Sequence, residues 1–168
     1  MDELNILIAD KHRAVRIGLE RLLKHELRLE AAVTHCEDLT DAGNRMSAGQ
    51  IPVDLVLAGF ACPSTDEIRQ LVASSRNMFG YEIPVLVYSD LDDRVYAPMV
   101  LAAGAIGFVR KSAWFPTLVA AIDTAIKGGF FVGGKPLLRQ ADREALINMR
   151  TTPPLHPIGA GAENRANS

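Results

Sequence analysis

Residues 5–24 read NILIADKHRAVRIGLERLLK. The run from Asn5 to Ala9 is apolar almost without a break and stops at Asp10, the pattern of a strand covered on both faces. Directly after it Val15, Leu19, Leu22 and Leu23 recur at helical spacing, while Arg16, Glu20, Arg21 and Lys24 fill the opposite side. A buried strand that hands over to an amphipathic helix is therefore the opening unit, and the rest of the chain can be tested for its repetition.

It repeats four more times. A weaker strand near 29–34 precedes a helix from Asp38 to Ser47 with Leu39, Ala42 and Met46 inward. The run Val53 to Leu57 is followed, after Ser64, by a helix carrying Ile68, Leu71 and Val72 on one face. Ile83 to Tyr88, which includes Pro84, is the next strand, with a helix after Asp92 and Asp93. Ile106 to Val109 is the last, and its helix opens on Pro116 and closes at Gly128 and Gly129. Strands that alternate with helices and lack an exposed polar face make a parallel, doubly wound sheet with right-handed crossovers. Ligand chemistry in such folds gathers at the carboxyl ends of the strands. Here those ends are Asp10 and Lys11, Gly59, Ser89 and Asp90, and Lys111.

The bulk properties narrow the function. A chain of 168 residues is long enough for one core plus a tail. Its net charge of -2 supplies no general attraction to nucleic acid or to an anionic membrane. No apolar run is long enough to cross a bilayer, and the acidic start MDELNILIAD is unlike a secretory signal, so a cytoplasmic location is expected. Cys36 and Cys62 lack metal-site spacing and read as reduced, apolar-like thiols. The histidines show no ligand spacing, and no metal site is expected.

The stretch ILIADKHRAVRIGLERLL resembles the opening of response-regulator receiver domains of the NarL/FixJ type. VDLVLAGFACPSTDEI is similar to the receiver segment with the phosphorylated aspartate and a following proline, PVLVYSD to the strand with the conformational hydroxyl, and LAAGAIGFVRKSA to the segment with the lysine. The likeness covers about residues 4–130. Thirty residues separate position 59 from Ser89 and twenty-two separate Ser89 from Lys111, as in that family. The resemblance implies a flavodoxin-like five-stranded sheet of order 2-1-3-4-5 within residues 1–133.

It also implies a damaged site. In the family an acceptor carboxylate, with one or two acids after the first strand, holds the Mg2+ that neutralises charge during phosphoryl transfer. Here the acceptor position is Gly59, which carries no nucleophile. The first-strand pair is Asp10 with Lys11, so one carboxylate faces two ammoniums, Lys11 and Lys111, and loss of Mg2+ binding is expected. Lys11 either pairs with Asp10 or points to solvent. Ser89 and Lys111 match the residues that hold the phosphoryl group; with Lys11 they outline a candidate anion pocket. Asp90 stands where a small residue is usual and would repel a phosphoryl group. Phe108 matches the family's switch aromatic, though an aromatic in an apolar strand reads first as core. Tyr96 and Pro98 fall on the fourth helix, part of the family's output face, where Pro98 should delay or kink the helix.

After residue 133 the chain departs from the family. Residues 134–150 are expected to form a C-terminal helix, with Leu137, Leu138, Ala141, Leu146 and Ile147 along one stripe, and residues 151–168 a disordered tail. Too little chain follows for a helix-turn-helix, so no direct DNA binding is expected. The expected function is that of a non-enzymatic pseudo-receiver that binds a histidine kinase, a response regulator or a transcription factor, or pairs with itself, without phosphorylation. The alternatives are phosphorylation at a displaced carboxylate, Asp54 or Asp10, and a shortened transcriptional regulator working in a DNA-bound assembly.

Overall fold

The structure is a computed structural model that describes residues 3–26, 30–49, 51–60, 64–137, 144, 147 and 148. Five strands and five helices alternate: β1 Leu4–Ala9, α1 Arg13–Glu26, β2 Ala31–Cys36, α2 Leu39–Ser47, β3 Leu55–Phe60, α3 Thr65–Phe79, β4 Val85–Ser89, α4 Asp93–Ala102, β5 Gly107–Arg110 and α5 Phe115–Ile126. The strands pair in parallel in the order β2-β1-β3-β4-β5, the doubly wound arrangement expected from the alternation. Parallel neighbours cannot be joined by tight turns, so each helix is the crossover that its strand pair requires.

The pleat sorts the core into two layers. Leu7 and Ala9 of β1 face the layer built by Leu39, Ala42 and Met46 of α2, Ile68 and Leu71 of α3, and Val100 of α4. Ile6 and Ile8, one residue out of phase, face Leu19 and Leu23 of α1 and Leu118, Ala121 and Ile122 of α5. Side chains alternate across a strand, so an apolar run with no polar partner face can satisfy both layers at once. Leu22 lies off the α1 stripe and is largely exposed.

Local signals set the helix ends. The Asp38, Ser64 and Asp92 side chains accept hydrogen bonds from the backbone N–H of Asp41, Glu67 and Arg94 respectively, capping α2, α3 and α4. Helix α3 stops at Gly80, whose φ of 77° is left-handed. Helix α4 corrects one expectation. It begins at Asp93, immediately after its cap, and runs continuously through Pro98 rather than starting late. The missing proline N–H would have bonded to the carbonyl of Arg94 in the first turn, next to solvent, where one lost bond is tolerated.

The sheet is wider than the five strands expected. Beyond β5 come β6 Phe130–Val132, parallel to it, and β7 Lys135–Leu137, antiparallel to β6. Lys135 to Leu137 is therefore strand where the sequence reading began a helix. Gly133 and Gly134 explain it: their φ values of 61° and 74° suit the two-residue turn that matches strand twist. The Phe131 N–H bonds to the carbonyl of Ile106, so Phe131 turns its polar backbone toward β5 and its partner Pro136 turns away from β6. The missing N–H of Pro136 thus falls on the open edge, and discourages an eighth strand. Glu144, Ile147 and Asn148 are helical; the rest of the expected helix, and the tail 151–168, lie outside the described residues, as does Cys62.

Candidate functional site

The carboxyl ends of β1, β3, β4 and β5 bring Asp10, Gly59, Ser89 and Lys111 together. Asp10 follows β1, held by its N–H to the carbonyl of Cys36 at 3.2 Å, and is only 1% exposed. Lys111 follows β5 and its N–H donates to the Ser89 carbonyl at 2.8 Å. Its side chain turns back over the sheet so that Nζ lies 3.1 Å from Asp10 Oδ2. The other oxygen, Oδ1, accepts the His12 N–H at 2.7 Å and lies 3.2 Å from His12 Nδ1. Arg16 Nη1 donates to the Asp10 carbonyl. Both oxygens of this buried carboxylate are thus engaged by donors of this chain.

Gly59 explains how the carboxylate fits. A Cβ placed on Gly59 would lie 2.3 Å from Asp10 Oδ2 and 3.1 Å from Asp10 Cγ. The Asp10 carboxylate therefore lies in the space a side chain at position 59 would enter. Among the described residues, the buried polar or charged side chains are those of Asp10, Ser75 and Ser89, and of these Asp10 alone bears a carboxylate. The anion position between Ser89 and Lys111, which the sequence left open for an external ligand, is partnered on the lysine side by Asp10.

The remaining candidates divide. Lys11 is exposed, because successive residues at a strand end point to opposite sides; Lys111, not Lys11, is the ammonium on Asp10. Asp90 is exposed. Ser89 is fully buried and its hydroxyl accepts the Leu91 N–H at 3.3 Å. Phe108 is packed in the α2–α4 layer, Tyr96 is half-buried against that layer, and Pro98 is buried. Asp54 precedes β3, at the opposite end of a six-residue strand from the lysine, where it accepts from Asn5 N at 2.7 Å and Asn5 Nδ2 at 3.0 Å. The sequence reading missed Tyr88. Its ring lies 5.9 Å from Lys111 Nζ and its hydroxyl donates to the Lys111 carbonyl at 3.4 Å. Burial, and then the charge of Asp90, push that hydroxyl above its ordinary pKa. A tyrosine one residue before the strand-end serine was the available signal.

Fold and strand-end site together resemble those of response-regulator receiver domains. The chain has a response-regulator receiver fold homologous to receiver domains of the NarL/FixJ type and of LuxR-family regulators. It is 29% identical over 133 residues to the oxygen regulatory protein NreC of Staphylococcus aureus, a match covering 79% of this chain and 59% of that protein, so the chain spans less than two thirds of that relative's length. It superposes on a LuxR family DNA-binding response regulator from Silicibacter pomeroyi with a TM-score of 0.64 and 28% identity, covering 77% of this chain and 96% of the other. The isolated receiver domain of RcsB from Salmonella enterica serovar Typhimurium, in the presence of the phosphomimetic BeF3-, shares the fold at a TM-score of 0.62 and 18% identity, over 79% of this chain and 96% of that domain. No family model matches the chain. Among the described residues no helix is long and apolar enough to cross a membrane.

Proposed function

We propose that this chain is a pseudo-receiver: a non-enzymatic module of two-component-type signalling that acts in the cytoplasm by phosphorylation-independent binding to a protein partner. The partner class is a histidine kinase, a response regulator or a transcription factor. One observation carries the reading. The Asp10 carboxylate, paired with Lys111, lies over Gly59 where an acceptor side chain would stand. The Asp10 carboxylate thus takes the place of the missing acceptor carboxylate opposite Lys111, and this internal pair needs no signal to form.

The donor set does not fit Mg2+, which takes six near-octahedral oxygens and is held by carboxylates. Here one carboxylate is available, an ammonium stands 3.1 Å from one of its oxygens and a backbone N–H 2.7 Å from the other. Asp54 is an implausible substitute acceptor, since the strand rise of about 3.3 Å per residue puts it well beyond reach of Lys111.

Incubation of the full chain with acetyl phosphate and Mg2+, followed by intact mass, tests the proposal. No mass gain is expected. A stoichiometric gain of one phosphoryl group, mapped to Asp10 or to any other carboxylate, would overturn it.

A further inference from the structure

Helix α4 and the β6–β7 hairpin enclose a groove that the receiver-like site does not use. Its deeper part is a cavity of about 310 Å3 whose apolar lining comes from Pro98, Val132 and Leu137, with Arg94 and Lys135 beside them. A second hollow of about 150 Å3 shares Asp93 with the first and continues past the hairpin tip to Arg110 and the first turn of α5. The hairpin is what makes the groove, because without β6 and β7 neither hollow would have its second wall.

Two features say what would lie there. The first is charge. The chain as a whole is negative, yet the groove is lined by Arg94, Arg110 and Lys135 against Asp93 alone. Asp92, beside the groove, lies 3.5 Å from Arg94 and also feels the charge of Arg110, so three cations face the two carboxylates Asp92 and Asp93; Arg110 and Lys135 are exposed, and Lys135 has no ion pair among the described residues. The second is the lining itself: Pro98, Val132 and Leu137 supply the apolar surface and Arg94 and Lys135 stand beside it. Apolar floor and flanking cations together match an extended chain with an apolar side chain and acidic neighbours.

We propose that this groove docks an extended acidic segment of a partner protein, anchored by one apolar side chain over Pro98, Val132 and Leu137. The inference rests on the reading of the chain as a protein-binding module and gives that module a surface and a partner chemistry. Electrostatic complementarity of this kind sets specificity and encounter rate more than raw affinity.

The test titrates the 15N-labelled full chain with a ten-residue peptide of alternating aspartate and leucine, and in parallel with aspartate–glycine and lysine–leucine counterparts. Saturable shifts are expected for the amides of Asp93, Arg94, Gly133 and Gly134 with the first peptide only. The double variant Arg110→Glu with Lys135→Glu, both at exposed positions, should weaken binding by about tenfold, as should raised salt. Three results would overturn the proposal: no saturable shift at millimolar peptide, shifts centred elsewhere, or binding indifferent to charge reversal. Shifts at these amides that follow protein concentration without peptide would assign the groove to a second copy and equally overturn it. Because phosphorylation is read separately by mass, failure here removes the groove and leaves the pseudo-receiver reading standing.

Discussion

Replacing Lys111 with methionine keeps most of the side-chain stem and removes the ammonium, leaving Asp10 buried at 1% exposure with, among the described residues, His12 alone to serve its carboxylate. Breaking a buried ion pair by removing one partner typically costs about 3–5 kcal/mol, because the other charge is stranded. The cost here should fall below that range, since the Lys111 side chain is 16% exposed and the 2.7 Å bond from His12 N to Oδ1 survives. About 2–3 kcal/mol is the expected loss, which for a domain of this size lowers Tm by roughly 10 °C. Removing both charges with Asp10→Asn and Lys111→Met should recover most of that loss, because no unpaired charge remains. Urea unfolding followed by far-UV circular dichroism on the four proteins of the cycle gives the coupling directly. A single-variant cost below about 0.5 kcal/mol, with no coupling between the sites, would refute the claim that this pair organises the strand ends.

Other outcomes follow from the same geometry. Gly59→Ala should destabilise the domain by about 1–3 kcal/mol, since its Cβ meets Asp10 Oδ2 at 2.3 Å, and the penalty should largely disappear in an Asp10→Ala background, read by the same unfolding curves. Gly107→Ala should loosen the hairpin first: its Cβ would lie 2.6 Å from the Phe131 carbonyl oxygen and 2.8 Å from the Leu86 side chain of β4, so hydrogen exchange at Phe131 and Val132 should accelerate while β1 to β3 stay protected. Burial, and then the charge of Asp41, push the Cys36 thiol up to about 11 from an ordinary 9.0. Because the folded pKa is the raised one, this group's contribution is full below pH 9 and is lost as pH climbs toward 11, and Cys36→Val should remove that slope. In a Cys62→Ser chain the remaining thiol should react with a disulfide reagent at pH 8 only as fast as the protein opens; rapid native-state labelling would contradict its burial.

Much of the architecture was legible because periodicity reports burial. Runs such as Ile6 to Ala9 and Val85 to Val87 have no polar face, and only a sheet covered on both sides accommodates them. The same logic places Asp10, Gly59, Ser89 and Lys111 at one end of the sheet, since each lies at the close of an apolar run. The hairpin was legible in principle and was missed. Phe130 to Leu137 places two glycines between short β-prone stretches, but the leucines farther along suggested a helix whose first residues a strand had already taken. Pro98 misled in the other direction, because the rule against proline in helices is strongest past the first turns and under burial of the carbonyl it orphans.

What the sequence alone determined is the absence of a nucleophile at position 59 and the mixture of one acid with two lysines around it, for covalent structure and charge do not depend on folding. Which lysine neutralises Asp10 was beyond its reach. Lys11 is its chain neighbour and Lys111 lies 101 residues away, yet the parallel register of β1, β3, β4 and β5 aims the distant ammonium at the carboxylate and leaves the adjacent one in water. Sequence proximity sets which groups are near along the backbone, whereas strand register and the alternation of the pleat set which groups meet, and only the folded sheet carries that information.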